Sequence, residues 1–572
     1  MFRRKEKIKL TGADLRNRVL SPLMIGVTGH IDLFEEHVPQ LKQLVETSIR
    51  TFREKYPHTP VIMLSPLAAG ADQLAAEVAI RMRDEGEPIQ LFAQLPMPAD
   101  EYVKNFPTEE SVHRFRRLLE LADRSYVVPA IPGIEQTHEQ REVYYAAASD
   151  DMTKYSHVLI ALWDGVPLPD ATAGTAYTVS CMRDGIDSDL RVHDRLLDPV
   201  TGGIVIHIRT PRKKRPDIER PLTAEEPIYP TNFPQETGKD IFNRILANLD
   251  DFNRRLLKPP VTYEDKAPEE VPEPLGRLAR MHTAADAIAS HYQSRYSGQR
   301  TGLLVFAVLL LLFYELTNQV PLVLTGYVLC IASAYLFYRR GEKRQYKRLY
   351  LDYRALAEGL RVQYFWRLAG LFHDVSDYYL SQQRSEIEWI CRVIRTEHFF
   401  LHTNKEGLRH IKHYQSVRNQ WVKDQADYFA GSIRKKTRQE RRSNAVSRWI
   451  FGTGATLMIA IMAGNLAIGL WEVKSELLSW LMVAAATIVA AGLAYESHNH
   501  LKAYKFYIAE HSRMKVIFDH SLFMLDRYLQ SPSPSSEKIH RLLEKLGKEV
   551  LDENGAWVYV NRERQSELPK GL

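Results

Sequence analysis

The chain has 572 residues and a formal net charge of +6 at pH 7. This length is too great for one domain and suits two or three, and so small an excess of positive charge argues against a uniform nucleic-acid-binding surface. The three cysteines lie far apart and form neither a CxxC zinc signature nor a disulfide framework, which suits a reducing compartment. The basic N-terminus is not followed by the apolar stretch and cleavage site of a signal peptide, so we expect the first half to stay in the cytoplasm.

Short apolar runs alternate with amphipathic stretches between Leu23 and about Arg212. The runs that predict strands are Leu23–Val27, Val61–Leu64, Ile89–Ala93, Ser125–Val128, Val158–Trp163 and Ile204–Ile208. Between them apolar residues recur three and four positions apart, as on helices that pack against a sheet. The alternation predicts a mainly parallel sheet covered on both faces, and hence a Rossmann-like, doubly wound α/β domain over residues 1–215.

Residues 216–275 differ in character, because prolines recur through them and interrupt regular structure. Only Asp240–Leu257 has the apolar spacing of a helix. We therefore expect a proline-rich connector that contains one helix.

Four apolar segments follow in two closely linked pairs. They are Thr301–Leu316 with Pro321–Tyr338, and Trp449–Trp471 with Leu477–Tyr495. A membrane span needs roughly 20 mostly apolar residues. The pairs therefore predict an all-α membrane domain with four transmembrane helices in two hairpins and long cytosolic helices. The first hairpin is assigned to residues 276–400 and the second to residues 401–572.

Positive charge flanks both hairpins on one side only. Arginine and lysine cluster in Arg339–Arg344 and Arg434–Arg442, whereas the links within the two pairs carry one lysine between them. By the positive-inside rule, this asymmetry predicts a multi-pass membrane protein with both termini in the cytoplasm.

Three loops that follow predicted strands hold the candidate binding residues. The first contains Gly26, Thr28, Gly29 and His30. Glycines at a strand-to-helix turn let backbone N–H groups approach a phosphate. The loop is neither a Walker A loop nor a complete GxGxxG motif, and a plain structural turn explains it equally well.

The second loop begins at Ser65 and leads through Gly70 and Ala71 to Asp72, at the start of a predicted helix. The small residues Gly70 and Ala71 and the carboxylate of Asp72 could contact the ribose of a ligand at this place. A carboxylate at a helix start is also favourable against the helix dipole without any ligand.

The third loop follows the strand that ends at Trp163. Asp164 and Gly165 stand at the carboxyl end of that strand, where open α/β sheets bind ligands, and Gly174 and Thr175 could offer donors at the next helix start. On the preceding helix, Arg141 could reach a phosphate, although such residues more often only face solvent.

These motifs together resemble the SLOG family, the Smf and LOG superfamily of Rossmann-like nucleotide sensors, over roughly residues 22–212. The matching stretches are Gly26–His30, Ser65–Asp72, Leu162–Gly165 and Gly174–Ala176. Residues 276–569 resemble the SLATT family of transmembrane effectors in doubled form, through the YR-x-x-AE-x-LR helix at Tyr353–Arg361 and the paired hairpins. The resemblance implies a protein of the bacterial inner membrane that binds a nucleotide or nucleotide-derived signal and alters membrane permeability, in anti-phage or conflict defence.

Enzymes of the LOG type hydrolyse nucleotide ribosides with a GGxGTxxE signature. Gly174 and Thr175 match this signature, but Thr178 stands at the position of the catalytic glutamate. This favours binding over catalysis, so we predict no catalytic residue, no metal site and no resident cofactor besides the nucleotide-type ligand. A membrane-anchored nucleotide hydrolase or phosphoribohydrolase is the alternative, with Asp72, Asp164 or Glu142 replacing the missing carboxylate.

The two hairpins differ in composition. The first is rich in leucine, whereas the second is rich in glycine and alanine, which let helix backbones approach closely. Asn465, beside Gly464, is polar near the middle of its segment, and both are candidate pore residues; a hydrogen bond between helices is an equally common role for such an asparagine. We expect a homo-oligomer in the lipid bilayer, with the second hairpin inside the bundle and with no nucleic-acid partner.

Overall fold

Six strands form one parallel sheet in the N-terminal part of this computed structural model. They are β1 (Leu23–Gly29), β2 (Val61–Ser65), β3 (Ile89–Leu95), β4 (Arg124–Val127), β5 (Val158–Trp163) and β6 (Ile204–Arg209). The order is β4-β3-β2-β1-β5-β6, and every neighbouring pair is parallel. The predicted parallel sheet is confirmed, with each strand within two residues of its expected bounds.

The structure describes residues 19–168, 171–185, 202–215, 223–224, 226–231, 235–263, 271–317, 320, 322–379, 384–403, 413–469, 476–532 and 535–563. Their α-helices are α1 (Val38–Lys55), α2 (Ala71–Asp84), α3 (Ala99–Tyr102), α4 (Glu109–Leu121), α5 (Arg141–Tyr155), α6 (Thr175–Asp184), α7 (Gln235–Leu257), α8 (Gly276–Thr317), α9 (Val323–Arg344), α10 (Tyr346–Leu368), α11 (Arg384–His402), α12 (Tyr414–Val417), α13 (Asp424–Gly469), α14 (Glu476–Lys502), α15 (Tyr504–Leu529) and α16 (Ser536–Glu563). The chain divides into two compact units, Met1–Ala284 with Asp374–Leu408, and Ala285–His373 with Arg409–Leu572.

The core of the first unit lies on the two faces of the sheet. β2 is buried throughout and β1 nearly so, as their continuous apolar sequences predict for strands covered on both sides. One cluster is formed by Met24, Ile62, Leu64, Phe92, Tyr126, Tyr155 and Phe399, and the other by Met152, Leu159, Ala161, Trp163, Val179, Met182 and Val205. Phe399 belongs to α11, so a helix from far along the chain completes the cover of one face.

Buried ion pairs hold the segment around α11 in the first unit. The Nζ atom of Lys154 lies 3.0 Å from Asp377 and 3.5 Å from Asp374, and the guanidinium of Arg395 lies within 4 Å of both carboxylates. Burial and repulsion from Asp377 raise the pKa of Asp374, although the two cations oppose this shift. Such a network is costly to break, because each lost partner leaves a buried charge unpaired.

The second unit is helical in the residues that the structure describes. Two helical stretches, Glu273–Thr317 and Tyr414–Gly464, are long and apolar enough to cross a membrane. The prediction of a helical part with candidate membrane spans is confirmed, but four spans are not found among the described residues. In α9 the apolar stretch ends at the adjacent Arg339 and Arg340, and the described apolar part of α14 is only Trp480–Leu493.

Close packing joins α13 to α14. A Cβ atom at Gly454 would lie 2.8 Å from Cγ2 of Val489, and one at Gly492 would lie 2.8 Å from Cγ2 of Ile450. The small residues of these helices thus let the two backbones approach, as their composition predicts.

Candidate functional site

The strand order changes direction at β1, which pairs with β2 on one side and with β5 on the other. In doubly wound sheets, ligands bind in the crevice at the carboxyl ends of the two strands at this point. His30 directly follows β1 and Asp164 directly follows β5. The structure therefore brings the first and third predicted loops to the expected edge of the sheet.

His30 and Asp164 are in direct contact. The Nε2 atom of His30 accepts the backbone N–H of Asp164 at 3.0 Å and lies 3.4 Å from its Oδ1 atom. Both side chains are buried, and burial lowers the pKa of His30. The imidazole is thus neutral near pH 7, which leaves Nε2 able to accept a hydrogen bond.

The second predicted loop packs against the first. The backbone N–H of Ala71 donates to the carbonyl of His30 at 3.1 Å. Gly70 has a φ of +85°, and a Cβ atom there would lie 2.5 Å from the carbonyl oxygen of Ile31. A Cβ on Gly29 would likewise approach that of Ala71 to 2.4 Å. Glycine is required at these positions because the two loops touch through their backbones.

Asp72 lies beneath this contact and not at its surface. Its side chain is buried, and Oδ1 has no hydrogen-bond partner among the described residues. Burial raises the pKa of Asp72 well above its ordinary value, so the carboxyl group favours its neutral form. Ser65, also fully buried, donates to the Asp72 carbonyl at 3.2 Å. These two residues support the loop from below.

Gly26 lies within β1, and Thr28 is buried near the end of that strand. A Cβ atom on Gly26 would lie 2.5 Å from Oγ of Ser156 and 2.9 Å from Cγ of Met152. Close packing against these side chains accounts for the glycine, and its part in ligand binding stays a prediction.

The third loop is the open one. Gly165 has a φ of +81° and Gly174 a φ of +90°, and a Cβ atom on Gly174 would have nothing within 4 Å. Gly174 is exposed and directly precedes α6, whose first residue, Thr175, is half-buried. An exposed helix start with a glycine before it is a favourable place for an anion.

Thr178, at the position expected for a catalytic glutamate, is buried. Its hydroxyl lies 2.9 Å from Oγ of Ser149 and 3.0 Å from the carbonyl of Gly174. The position therefore provides internal hydrogen bonds and no carboxylate.

A basic segment, Arg212–Arg215, also reaches this edge of the sheet. Arg212 pairs with Asp32 at 3.0 Å, and Arg215 lies 3.9 Å from Asp164. Lys213 and Lys214 are exposed. The sequence analysis assigned no binding role to this segment; four consecutive basic residues shortly after the last strand were the available signal.

The remaining predicted residues lie apart from these contacts. Arg141 is the first residue of α5 and is exposed, and no acidic side chain of the described ranges pairs with it. Gly464 lies in α13, half-exposed. The side chain of Asn465 falls outside the described part of the structure, so its predicted role in a pore stays a prediction.

Comparison with known proteins identifies no relative: no protein-family model matches the chain, and no curated protein matches it in sequence.

Proposed function

We propose that the protein is a bacterial membrane sensor-effector whose first unit binds a nucleotide or nucleotide-derived signal at the carboxyl edge of its sheet. The observation that carries this proposal is that the exposed helix start at Gly174 and the basic segment Arg212–Arg215 follow the neighbouring strands β5 and β6 at the carboxyl edge of the sheet. An anion placed there would meet both backbone donors and cations.

The three loops differ in packing, and this difference supports phosphate binding in particular. The first two loops are packed against each other and hold His30 and Asp164 in place. The third loop is free to approach a ligand, because Gly174 has open space around it. Lys213, which lies 3.7 Å from Glu35, and Lys214 are exposed and add positive charge, which suits a charged, hydrophilic ligand more than an apolar one.

The second unit would supply the effector. The candidate spans within Glu273–Thr317 and Tyr414–Gly464 support insertion in a bilayer, and we propose that α9 and α14 complete two hairpins, for four transmembrane helices. From the resemblance to SLATT effectors, we propose that this unit lies in the bacterial inner membrane as a homo-oligomer that changes permeability in defence. For the ligand to act, it must bind the permeable state more tightly than the resting state.

A nucleotide hydrolase of the LOG type is the weaker alternative. Thr178 offers a hydroxyl that is already hydrogen-bonded where the reaction needs a carboxylate. An assay of base release separates the two proposals. A sensor binds its nucleotide without releasing the base, whereas a hydrolase releases it.

Two glycines with positive φ angles test the site. Gly174 and Gly86 have φ values of +90° and +91°, and a Cβ atom on either would have open space around it. Gly86 lies between α2 and β3, at the opposite edge of the sheet. Replacing either with alanine should strain the backbone, at a cost of roughly 1–3 kcal/mol.

The two variants should differ in binding. In a thermal-shift screen of the full-length protein in detergent against nucleoside phosphates and cyclic nucleotides, we expect a stabilising ligand for wild type and Gly86→Ala. Gly174→Ala should bind it at least tenfold more weakly. Equal binding by both variants, or no response to any nucleotide, would contradict the proposal.

A further inference from the structure

A polar cavity of about 850 Å³ lies among the helices of the second unit. Its walls come from α8, α10, α13, α15 and α16, so elements from across that unit line it. The wall on α8 extends to Arg300 and Thr301, where the apolar stretch of that helix begins. The cavity therefore lies beside the predicted cytoplasmic end of a membrane span.

The charges in the cavity are unevenly paired. Arg354 lies 3.0 Å from Asp286 and 2.5 Å from Glu358, and Arg361 also pairs with Glu358. By contrast, three further cations line the walls with no acidic partner among the described residues. They are Arg300, Lys435 and Lys436. The cavity thus carries positive charge that its own side chains leave uncompensated.

The nearby titratable groups do little to cancel this charge. Burial, with repulsion from Glu358 and Glu510, raises the pKa of Glu553 to about 7, so this acid is partly neutral at physiological pH. Burial and the nearby Lys436 lower the pKa of His511 to about 4, so its ring is uncharged. This environment therefore favours an anionic ligand.

Aromatic rings form much of the rest of the wall. Tyr296 stacks with Tyr350 at 6.5 Å between ring centroids, and Trp557 meets Tyr350 edge-on at 5.7 Å. The Nζ atom of Lys436 lies 4.5 Å from the centre of the Tyr507 ring. Rings with polar tips beside cations are typical of sites that hold a charged group together with a less polar body.

We propose that this cavity is a second ligand site, which binds a phosphate group through Lys435, Lys436 and Arg300. The phosphate can be supplied by an anionic phospholipid headgroup from the adjoining membrane face or by a soluble phosphate compound. Lysine and arginine form charge-assisted hydrogen bonds with phosphate, and a volume of 850 Å³ accommodates either source. The site is separate from the sheet edge of the first unit and does not depend on it.

The test uses full-length protein in detergent, with thermal shift as the readout and three probes: inorganic phosphate, dihexanoyl phosphatidic acid and, as the chain-matched zwitterionic lipid, dihexanoyl phosphatidylcholine. The variant is Lys435→Gln with Lys436→Gln. Its matched control is Arg438→Gln with Arg442→Gln, which removes the same charge from exposed positions of α13 that do not line the cavity.

We expect wild type and the control to bind phosphatidic acid, and the cavity variant to bind it at least fivefold more weakly. Binding of inorganic phosphate with the same dependence on the variant would identify a soluble source; binding of phosphatidic acid alone would identify the lipid. The proposal is overturned if neither anion binds, if phosphatidylcholine binds as well as phosphatidic acid, or if the two double variants bind alike. Gly174→Ala should leave this binding unchanged, which separates it from any failure at the sheet edge.

Discussion

The imidazole of His30 accepts the backbone N–H of Asp164 at 3.0 Å and so joins the end of β1 to the end of β5. The same residue accepts the Ala71 N–H through its carbonyl group. One side chain and its own backbone thus tie together the three turns around the crevice where the strand order reverses.

Replacing His30 with alanine should loosen this edge of the sheet. The buried N–H of Asp164 would lose its acceptor, at a cost of about 1–3 kcal/mol. Hydrogen–deuterium exchange of the full-length protein should show faster exchange of the β1 and β5 amides. His113→Ala, on the exposed face of α4, is the control and should leave these amides unchanged. Similar exchange in both variants would show that the contact contributes nothing.

The first unit should lose stability in mild acid through two buried histidines. Burial lowers the pKa of His30 and of His157, whose Nδ1 accepts the N–H of Met24 at 3.1 Å. The unfolded chain therefore binds more protons below pH 6.5, and stability should fall as the pH falls from 6.5 towards the folded pKa values. Melting temperatures between pH 5 and pH 8 measure this, and His157→Gln should flatten the dependence. If the melting temperature of wild type depends on pH no more than that of His157→Gln, the prediction is contradicted.

Asp72→Asn should stabilise the protein increasingly as the pH rises. The pKa of Asp72 is raised in the folded state, so the folded chain binds more protons than the unfolded chain above about pH 4. The contribution of Asp72 to wild-type stability therefore falls with rising pH, by at most about 1.4 kcal/mol per pH unit, and asparagine does not titrate. The measurement is the difference in melting temperature between variant and wild type at pH 5 and pH 8. A difference that shrinks with pH would show that the carboxylate is stabilised instead.

The packing of the second hairpin can be tested with two neighbouring glycines. A side chain at Gly454 would meet Val489 on α14, whereas a Cβ atom on Gly452 would have nothing within 4 Å. Gly454→Leu should therefore destabilise the protein by about 1–3 kcal/mol through overpacking, and Gly452→Leu should not. Thermal unfolding in micelles compares the two. If Gly452→Leu destabilises the protein more than Gly454→Leu, the prediction is wrong. The face of α13 that carries Gly452 is then the packed one, as it would be in a contact between two copies of the protein.

The parallel sheet could be predicted because its signal is local. Runs such as Val158–Trp163 are continuously apolar and are bounded by helical patterns, so strand positions follow from the sequence alone. The position of His30 and Asp164 at the same edge of the sheet also follows, since both end parallel strands. The sequence could not show that β1 and β5 are neighbours, because that depends on the pairing of residues more than 130 positions apart.

Other features depend on contacts between distant residues that no local pattern encodes. Phe399 lies on one more amphipathic helix of the sequence, and contacts with distant residues such as Phe92 place that helix in the first unit. The cavity of the second unit is formed by five helices, so no single segment indicates it. Two of the four predicted spans are not found among the described residues, because the apolar run of α9 ends at Arg339 and that of α14 is described only over Trp480–Leu493.

The most direct test of the account measures ion efflux from liposomes that contain the full-length protein. Nucleoside phosphates and cyclic nucleotides are added in turn to wild type, Gly86→Ala and Gly174→Ala. The account predicts that at least one nucleotide triggers efflux from wild type and Gly86→Ala, and that Gly174→Ala needs at least tenfold more of it. Efflux that is insensitive to every nucleotide, or equally sensitive in Gly174→Ala, would contradict it.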